Sequence, residues 1–136
     1  MSIKHFILFI AILSIAPGCS TSKINKEGEK SVAATALQFY GRTSVTDKGE
    51  VALISSAVHF GFTFKGEECK IYASIPDAGG HNYLQYELDG VYQKRIRING
   101  NSKKPITITT PNAGTHTVWM YKATEAHTGP IMIQKI

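Results

Sequence analysis

Cysteine is scarce in this chain of 136 residues, which contains only Cys19 and Cys69. Two cysteines cannot form the set of several disulfides that holds many small secreted domains together, so the fold has to depend on a hydrophobic core. Cys69 lies in an apolar stretch, and we expect it to be a small buried strand residue. Because Cys19 precedes a polar tail, we favour no disulfide bond between the two cysteines.

Long hydrophobic runs are also lacking, apart from one near the N-terminus. Residues 6–16 (FILFIAILSIA) are apolar, but a helix needs roughly 20 apolar residues to span a bilayer. A short positive start with Lys4 precedes this run. Residues 1–18 are therefore predicted to be a signal peptide that directs export.

The cysteine that follows this segment resembles the lipid-modified cysteine of a bacterial lipobox. Small residues in the sequence APGC lead directly into Cys19. The resemblance implies that Cys19 carries a diacylglyceryl group, which would anchor an exported lipoprotein to a membrane of the bacterial cell envelope. Ala16 stands where a leucine is usual. The alternative is cleavage by an ordinary signal peptidase and release of a secreted protein.

The sequence has no long run of basic residues, although its formal net charge is +5. The positive residues are scattered, with short clusters at residues 94–97 and 103–104. No fingerprint of a nucleic-acid-binding domain accompanies them, so we do not expect nucleic acid to be a partner. Solvation, or contact with an acidic surface, explains the charge.

Helical patterns are missing, and short strands dominate the chain after a polar segment. Residues 19–36 are predicted to form a flexible tether. In residues 57–64, the apolar side chains recur with the period of two that a half-buried strand requires. Further strands are predicted at residues 37–42, 51–56, 69–75, 82–88, 91–98, 105–110, 115–124 and 131–136. Residues 37–136 are therefore predicted to be an all-β domain, an antiparallel jelly-roll β-sandwich of about eight or nine strands.

The dipeptide Asp89-Gly90 gives the strongest local prediction. It separates the alternating segments 82–88 and 91–98. Because Asp-Gly is typical of the type I′ turn, these two segments are predicted to form a β-hairpin.

Motifs for catalysis and for metal binding are missing. The chain has no G-x-S-x-G, no Gly-Asp-Ser near a strand end and no Asp-x-x-His pair, so no nucleophile and base can be assigned. The five histidines lack the spacing of a metal-binding motif. His59 and His116 fall within strands, where we expect them to be packed and hydrogen-bonded. We expect no catalytic residue, no metal and no cofactor in this chain.

The segment GTHTVWMYKATEA at residues 114–126 contains the only tryptophan and has large side chains on both faces of a predicted strand. One face can belong to the core, whereas aromatic rings on the other face are suited to stacking on sugar rings or to contact with a protein. The candidate contact residues are Trp119, Tyr121, Tyr83, Gln85, Arg95 and Arg97. The alternative is that Trp119 is simply part of the core.

Several short motifs resemble the N-terminal domain of carbohydrate esterase family 2. They are Phe39-Tyr40-Gly41-Arg42, the F-x-F-x-G of residues 62–66, Asp89-Gly90 within NYLQYELDGVYQKRIRI, and residues 116–126 within GTHTVWMYKATEAHTGPIMI. The resemblance implies a jelly-roll module that precedes an SGNH-type hydrolase domain, which removes acetyl groups from plant cell-wall polysaccharides. In that family the catalytic serine and histidine belong to the second domain.

The function that this resemblance implies is that of a non-catalytic accessory module in an exported lipoprotein. The module would bind glycan or dock on an SGNH-type esterase domain, and the lipid anchor would place it at a membrane. Two alternatives stay open. The chain could itself be a carbohydrate acetyl esterase, or it could be a purely structural surface lipoprotein.

Overall fold

The computed structural model describes residues 30–136, which form two layers of β-sheet. The predicted signal peptide, the lipidation site at Cys19 and most of the predicted tether lie outside the described residues. Within residues 30–136, no helix is long and apolar enough to cross a membrane. The strands are β1 Phe39–Tyr40, β2 Thr43–Val45, β3 Val51–Leu53, β4 His59–Lys65, β5 Glu68–Ser74, β6 His81–Leu88, β7 Val91–Tyr92, β8 Ile96–Asn99, β9 Ile106–Thr109, β10 Thr115–Lys122 and β11 Ile131–Lys135.

The two sheets are antiparallel throughout. The front sheet has the strand order β1-β4-β10-β6-β7, with β8 also paired to β6. The back sheet has the order β2-β3-β11-β5-β9. The prediction of an all-β, antiparallel jelly-roll sandwich is confirmed. The part of the chain that the structure describes contains eleven strands, however, and not eight or nine.

The higher strand number arises because β2 lies beyond the predicted strand at 37–42 and was not predicted, and because one predicted strand is interrupted. The segment that begins at residue 37 ends at Gly41, where a positive φ of 106° lets the chain leave β1 in the front sheet and enter β2 in the back sheet. The predicted strand at 91–98 is divided into β7 and β8 by residues 93–95, which join neither ladder. Short interruptions of this kind leave no trace in the hydrophobic alternation of a sequence.

The core lies between the sheets and is built from alternate residues of each strand. In β10, Val118 and Met120 are fully buried, because alternate residues of a strand point to the same face. The other fully buried apolar side chains come from both sheets and include Phe60, Leu84, Leu53, Ile71, Ile131 and Ile133. Cys69 is also a buried strand residue, as predicted, and burial raises the pKa of its thiol to about 11.

The predicted hairpin at residues 82–98 is present. Asp89 and Gly90 have φ values of 52° and 78°, so both central residues adopt the left-handed conformation that a type I′ turn requires. Glu87 pairs with Tyr92, and Leu88 pairs with Val91.

The folded part of the chain begins earlier than the predicted boundary at residue 37. Val32 and Ile136 exchange two backbone hydrogen bonds, with N···O distances of 2.7 and 2.9 Å. Ala33 forms a bridge with Lys135, and the next residue, Ala34, is fully buried in the core. The reason is that β3 pairs with β11 only as far as Ile133, so the last backbone groups of β11 need another partner. Residues 32–36 therefore belong to the domain and not to the predicted tether.

Candidate functional site

The candidate site is the solvent-facing side of the front sheet, where the aromatic residues of β10 lie. Because Val118 and Met120 point into the core, Trp119 and Tyr121 point away from it. In the strand register, Trp119 is opposite Gly61 of β4, and Tyr121 is opposite His59. The alternative in which Trp119 belongs to the core is therefore wrong.

The indole of Trp119 lies on the backbone of β4 at Gly61. A Cβ atom placed on Gly61 would be 2.9 Å from Cδ2 and Cε3 of Trp119 and 3.0 Å from Cε2. Three ring atoms at nearly equal distance mean that the face of the indole, and not its edge, covers Gly61. Glycine is required here because any side chain would displace the ring. The opposite face of the indole is directed away from the strand.

Two rings contact this indole and two more continue the cluster through Tyr121. We name this cluster the aromatic patch, which consists of Tyr40, His59, Tyr92, Trp119 and Tyr121. His59 lies between Tyr40 and Tyr121, with centroid distances of 5.1 and 5.4 Å and nearly parallel rings. The ring centroid of Trp119 is 5.9 Å from that of His59 and 6.2 Å from that of Tyr40. Such spacings are those of interacting aromatic pairs. Tyr40 and Tyr92 remain 47% and 67% exposed, so the patch faces solvent.

A carboxylate lies at one end of the aromatic patch. The carboxylate of Glu87 interacts with the hydroxyl groups of Tyr92 and Tyr121. The hydrogen bond to Glu87 raises the pKa of Tyr92, and burial followed by the charge of Glu87 raises the pKa of Tyr121. Glu87 is opposite Trp119 in the register with β10 and opposite Tyr92 in the register with β7, so its carboxylate adds a hydrogen-bond acceptor to the patch.

A shallow groove of about 330 Å³ runs beside Trp119. Its walls combine aromatic rings with amide and hydroxyl groups and are formed by Gln38, Tyr40, Gly61, Phe62, Thr63, Thr117 and Trp119. An apolar ring face next to hydrogen-bonding groups is suited to a ligand that has one flat apolar face and a rim of hydroxyls.

The structure brings together only some of the residues predicted for the site. Trp119 and Tyr121 lie in the aromatic patch. Gln85 is opposite Tyr121, but its side-chain amide donates to the backbone oxygen of Gln93 and so braces the chain after β7. Tyr83 is on the same face, and its ring contacts His81 at 5.5 Å in an edge-to-face arrangement.

The two predicted arginines, Arg95 and Arg97, line a different groove between the edges of the two sheets. Sequence reasoning also missed part of the aromatic patch, because Tyr40, Tyr92 and Glu87 join it only through cross-strand pairing. His59 could have been found, since it lies out of phase with the apolar residues of residues 57–64.

His116 and Asp89 form a pair that has the geometry of a catalytic dyad. Nδ1 of His116 is 2.8 Å from Oδ2 of Asp89, and Nε2 is 3.1 Å from the backbone oxygen of Asn112. Because that carbonyl occupies Nε2, the imidazole has no nitrogen free to activate a nucleophile. The Asp89 carboxylate also accepts a hydrogen bond of 2.8 Å from the backbone of Thr117. The pair therefore fastens the hairpin turn to β10, and His116 is packed and hydrogen-bonded as expected.

One lysine, Lys122, lies inside the sandwich. Lys122 is buried, and its ammonium donates to the backbone oxygens of Ile54 and Glu125 at 3.1 and 3.0 Å. Burial lowers the pKa of this lysine, and its role is to join two loops at one end of the sandwich.

Among residues 30–136, no three histidine, cysteine, aspartate or glutamate side chains lie close enough together to hold a metal ion.

The two-sheet fold is similar to that of solved domains. The CBM36-1 domain of a multidomain xylanase from the hindgut metagenome of Trinervitermes trinervoides is similar in structure over 78% of this chain and 92% of its own length, with a TM-score of 0.62 and 15% identity. This likeness shows that the two domains share a fold.

The family model described as "Carbohydrate esterase 2 N-terminal" matches residues 39–136, and the chain belongs to this family. The resemblance noted in the sequence is thus confirmed. A family two carbohydrate esterase from Cellvibrio japonicus is similar over 78% of this chain, with 17% identity and a TM-score of 0.62. One from Clostridium thermocellum, in complex with cellohexaose, is similar over 71%, with 22% identity and a TM-score of 0.60.

The chain spans about a third of the length of these solved esterases, since the matched regions are 32% and 29% of the two enzymes. No curated protein matched the chain in sequence.

Proposed function

We propose that this chain is a non-catalytic accessory module that binds polysaccharide through its aromatic patch and takes part in the deacetylation of plant cell-wall glycans. The observation that carries the proposal is the indole of Trp119, which lies flat on Gly61 beside a groove with polar walls. A sugar ring has one or two apolar faces and a rim of hydroxyls, so it can stack on the indole while the polar groups bind the rim.

The rigidity of the patch supports this function. Trp119 is held by the strand beneath it and by His59 and Tyr40 at its sides, so little side-chain freedom remains to be lost when a ligand binds. A preorganised surface of this kind binds a neutral ligand more tightly than a mobile one of the same composition.

A second candidate function is docking of an SGNH-type esterase domain on the same face. It is favoured by the coverage of the solved esterases, in which about two thirds of the chain lies outside the region matched here. A cluster of five rings, of which Tyr40 and Tyr92 are exposed, is also typical of a protein interface. Glycan binding is the first choice because the groove beside Trp119 has several polar walls.

The cellular setting that we propose is the bacterial cell envelope, with the export signal at residues 1–18 and a lipid on Cys19. Mass spectrometry of the mature N-terminus tests this. A diacylglyceryl group on Cys19 is the expected result, whereas an unmodified N-terminus at another residue would show that the protein is secreted.

Affinity electrophoresis of the purified chain in gels with xylan, mannan or soluble cellulose derivatives tests the glycan function. Trp119→Ala is expected to weaken binding by roughly 10-fold to 100-fold, the effect of a central aromatic contact. Tyr72→Ala is the matched control, since Tyr72 lies on β5 of the back sheet, where it contacts Lys135. If the unaltered chain is not retarded by any of these glycans but binds an SGNH-type esterase domain through Trp119, the second candidate function is correct.

An assay with an acetylated chromogenic ester tests whether the chain is itself an esterase. We expect no turnover, because Nε2 of His116 is occupied by a backbone carbonyl. Turnover that disappears on substitution of a single serine would contradict the non-catalytic function.

A further inference from the structure

A second binding site is indicated by the distribution of charge along the chain. Residues 90–124 contain no aspartate or glutamate, although they include two basic clusters, at residues 94–97 and 103–104. A solvated surface usually mixes both signs of charge, so a long segment of one sign requires a structural or functional reason.

The fold brings residues of both clusters to one groove. Strand β8 lies at the edge of the front sheet and β9 at the edge of the back sheet, and the gap between the sheets opens there into a groove of about 340 Å³. Lys94, Arg95, Arg97 and Lys104 are among its lining residues, and all four are exposed. Among residues 30–136, no carboxylate lines the groove.

The four cations keep their charges available for a ligand. The ion pairs of the domain are formed elsewhere, between Lys70 and Glu68 and between His116 and Asp89. Within residues 30–136, none of the four cations that line the groove takes part in such a pair. Nε of Arg97 donates to Asn99 at 2.9 Å, which orients the guanidinium and leaves its terminal N–H groups free.

The groove also has an apolar floor, to which Tyr86, Ile96 and Ile106 contribute. Cations above an apolar floor fit a ligand that combines carboxylates with the apolar face of a ring. A volume of about 340 Å³ is in the range of pockets for small ligands.

We propose that this groove binds a glycan that carries carboxylate groups, such as a chain with uronic acid units. The inference rests on the proposed glycan-binding function and extends it, because the ligand, the face of the molecule and the residues differ from those of the aromatic patch. Arg95 and Arg97 thus belong to an acidic-glycan site and not to the surface that contains Trp119.

Isothermal titration with uronic-acid-containing oligosaccharides and with neutral oligosaccharides of equal length tests the proposal. We expect the acidic oligosaccharide to bind and its affinity to fall steeply as salt is raised, since exposed charges are screened within about 8 Å at physiological ionic strength. The double variant Arg95→Gln/Lys104→Gln is expected to bind the acidic oligosaccharide at least roughly tenfold more weakly. Lys48→Gln, which removes an exposed lysine from a turn outside the groove, is the control and should bind normally.

The variants also separate this site from the aromatic patch. Trp119→Ala should leave binding of the acidic oligosaccharide unchanged, and Arg95→Gln/Lys104→Gln should leave retardation by neutral polysaccharide unchanged. The acidic-glycan proposal is overturned if the neutral oligosaccharide binds the groove equally well or if Lys48→Gln causes the same loss. Tighter binding of dextran sulfate, or of an acidic protein domain only, would also overturn it. If the chain binds the acidic oligosaccharide but no neutral glycan, the proposed function of the aromatic patch is contradicted and the acidic-glycan site is retained.

Discussion

Adding one methyl group at Gly61 is the most direct perturbation of the aromatic patch, because it removes none of the rings. The new Cβ would lie 2.9 Å from Cδ2 and Cε3 of Trp119, whereas ordinary van der Waals contact begins at 3.4 Å. The indole must therefore move away from β4 by at least about 0.5 Å, the difference between these distances. The result is a tilted ring that no longer presents a flat face beside the groove.

The stability of the domain is expected to change little in Gly61→Ala. Forcing the Trp119 side chain away from its preferred rotamer costs about 0.5–1.5 kcal/mol. The loss of backbone freedom in the unfolded chain offsets this by about 0.4–1 kcal/mol. The free energy of unfolding should therefore change by less than about 1.5 kcal/mol, while binding of neutral glycan falls roughly as far as in Trp119→Ala.

Intrinsic fluorescence measures this displacement directly, because Trp119 is the only tryptophan in the chain. We expect the emission of Gly61→Ala to shift to longer wavelength, together with reduced retardation in xylan or mannan gels. Gly79→Ala is the control, since its methyl group would meet only Asp77 Oδ1 at 3.7 Å. Unchanged emission and unchanged retardation in Gly61→Ala would refute the flat placement of the indole.

Two further predictions concern stability. Asp89 raises the pKa of His116, so the contribution of the histidine is complete below its ordinary value of 6.5 and is lost as pH rises through the raised value. His116 and the Thr117 backbone lower the pKa of Asp89, whose contribution is present above 3.8 and is lost at lower pH. Thermal unfolding should show greater stability at pH 5.5 than at pH 9, with a smaller difference in Asp89→Asn. In urea unfolding, Lys122→Met should lower the free energy of unfolding by about 1–3 kcal/mol, because the half-buried backbone oxygen of Ile54 loses its donor, whereas that of Glu125 still accepts from Thr128.

Controls for these two predictions are available on the surface of the same domain. His127 is exposed, so His127→Gln should retain the pH dependence of the unaltered chain. Lys48→Met places the same apolar side chain at an exposed turn and should leave the urea midpoint nearly unchanged. If Asp89→Asn keeps the full pH difference, the His116–Asp89 pair does not cause it. If Lys122→Met is as stable as Lys48→Met, the hydrogen bonds of Lys122 do not stabilise the domain.

Local patterns determined the class of the fold and its most regular parts. The period of two in residues 57–64 corresponds to β4, in which Phe60 is fully buried. Asp89-Gly90 alone defined a type I′ turn, because few other residue pairs accept two positive φ angles. These features depend on neighbours within a few residues, which is why sequence reasoning reached them.

The aromatic patch could not be predicted from neighbouring residues alone. Alternation showed that Trp119 and Val118 lie on opposite faces, but both faces of β10 have large side chains, so it could not tell which one is buried. Pairing with β4 determines the surroundings of the outer face, because it places Gly61 under the indole and His59 beside Tyr121. Cross-strand neighbours of this kind are far apart in the chain, and their register depends on the packing of the whole sheet.

The sequence by itself determined that this chain is an all-β module with the motifs of the carbohydrate esterase 2 N-terminal family. Only the tertiary structure decided which residues share a surface. It separated Arg95 from Trp119 and united Arg95 with Lys104 across the edges of two sheets. It also extended the domain back to Val32. The physical reason is that strand order and sheet edges follow from burial of the entire core, whereas alternation and turn chemistry are properties of short segments.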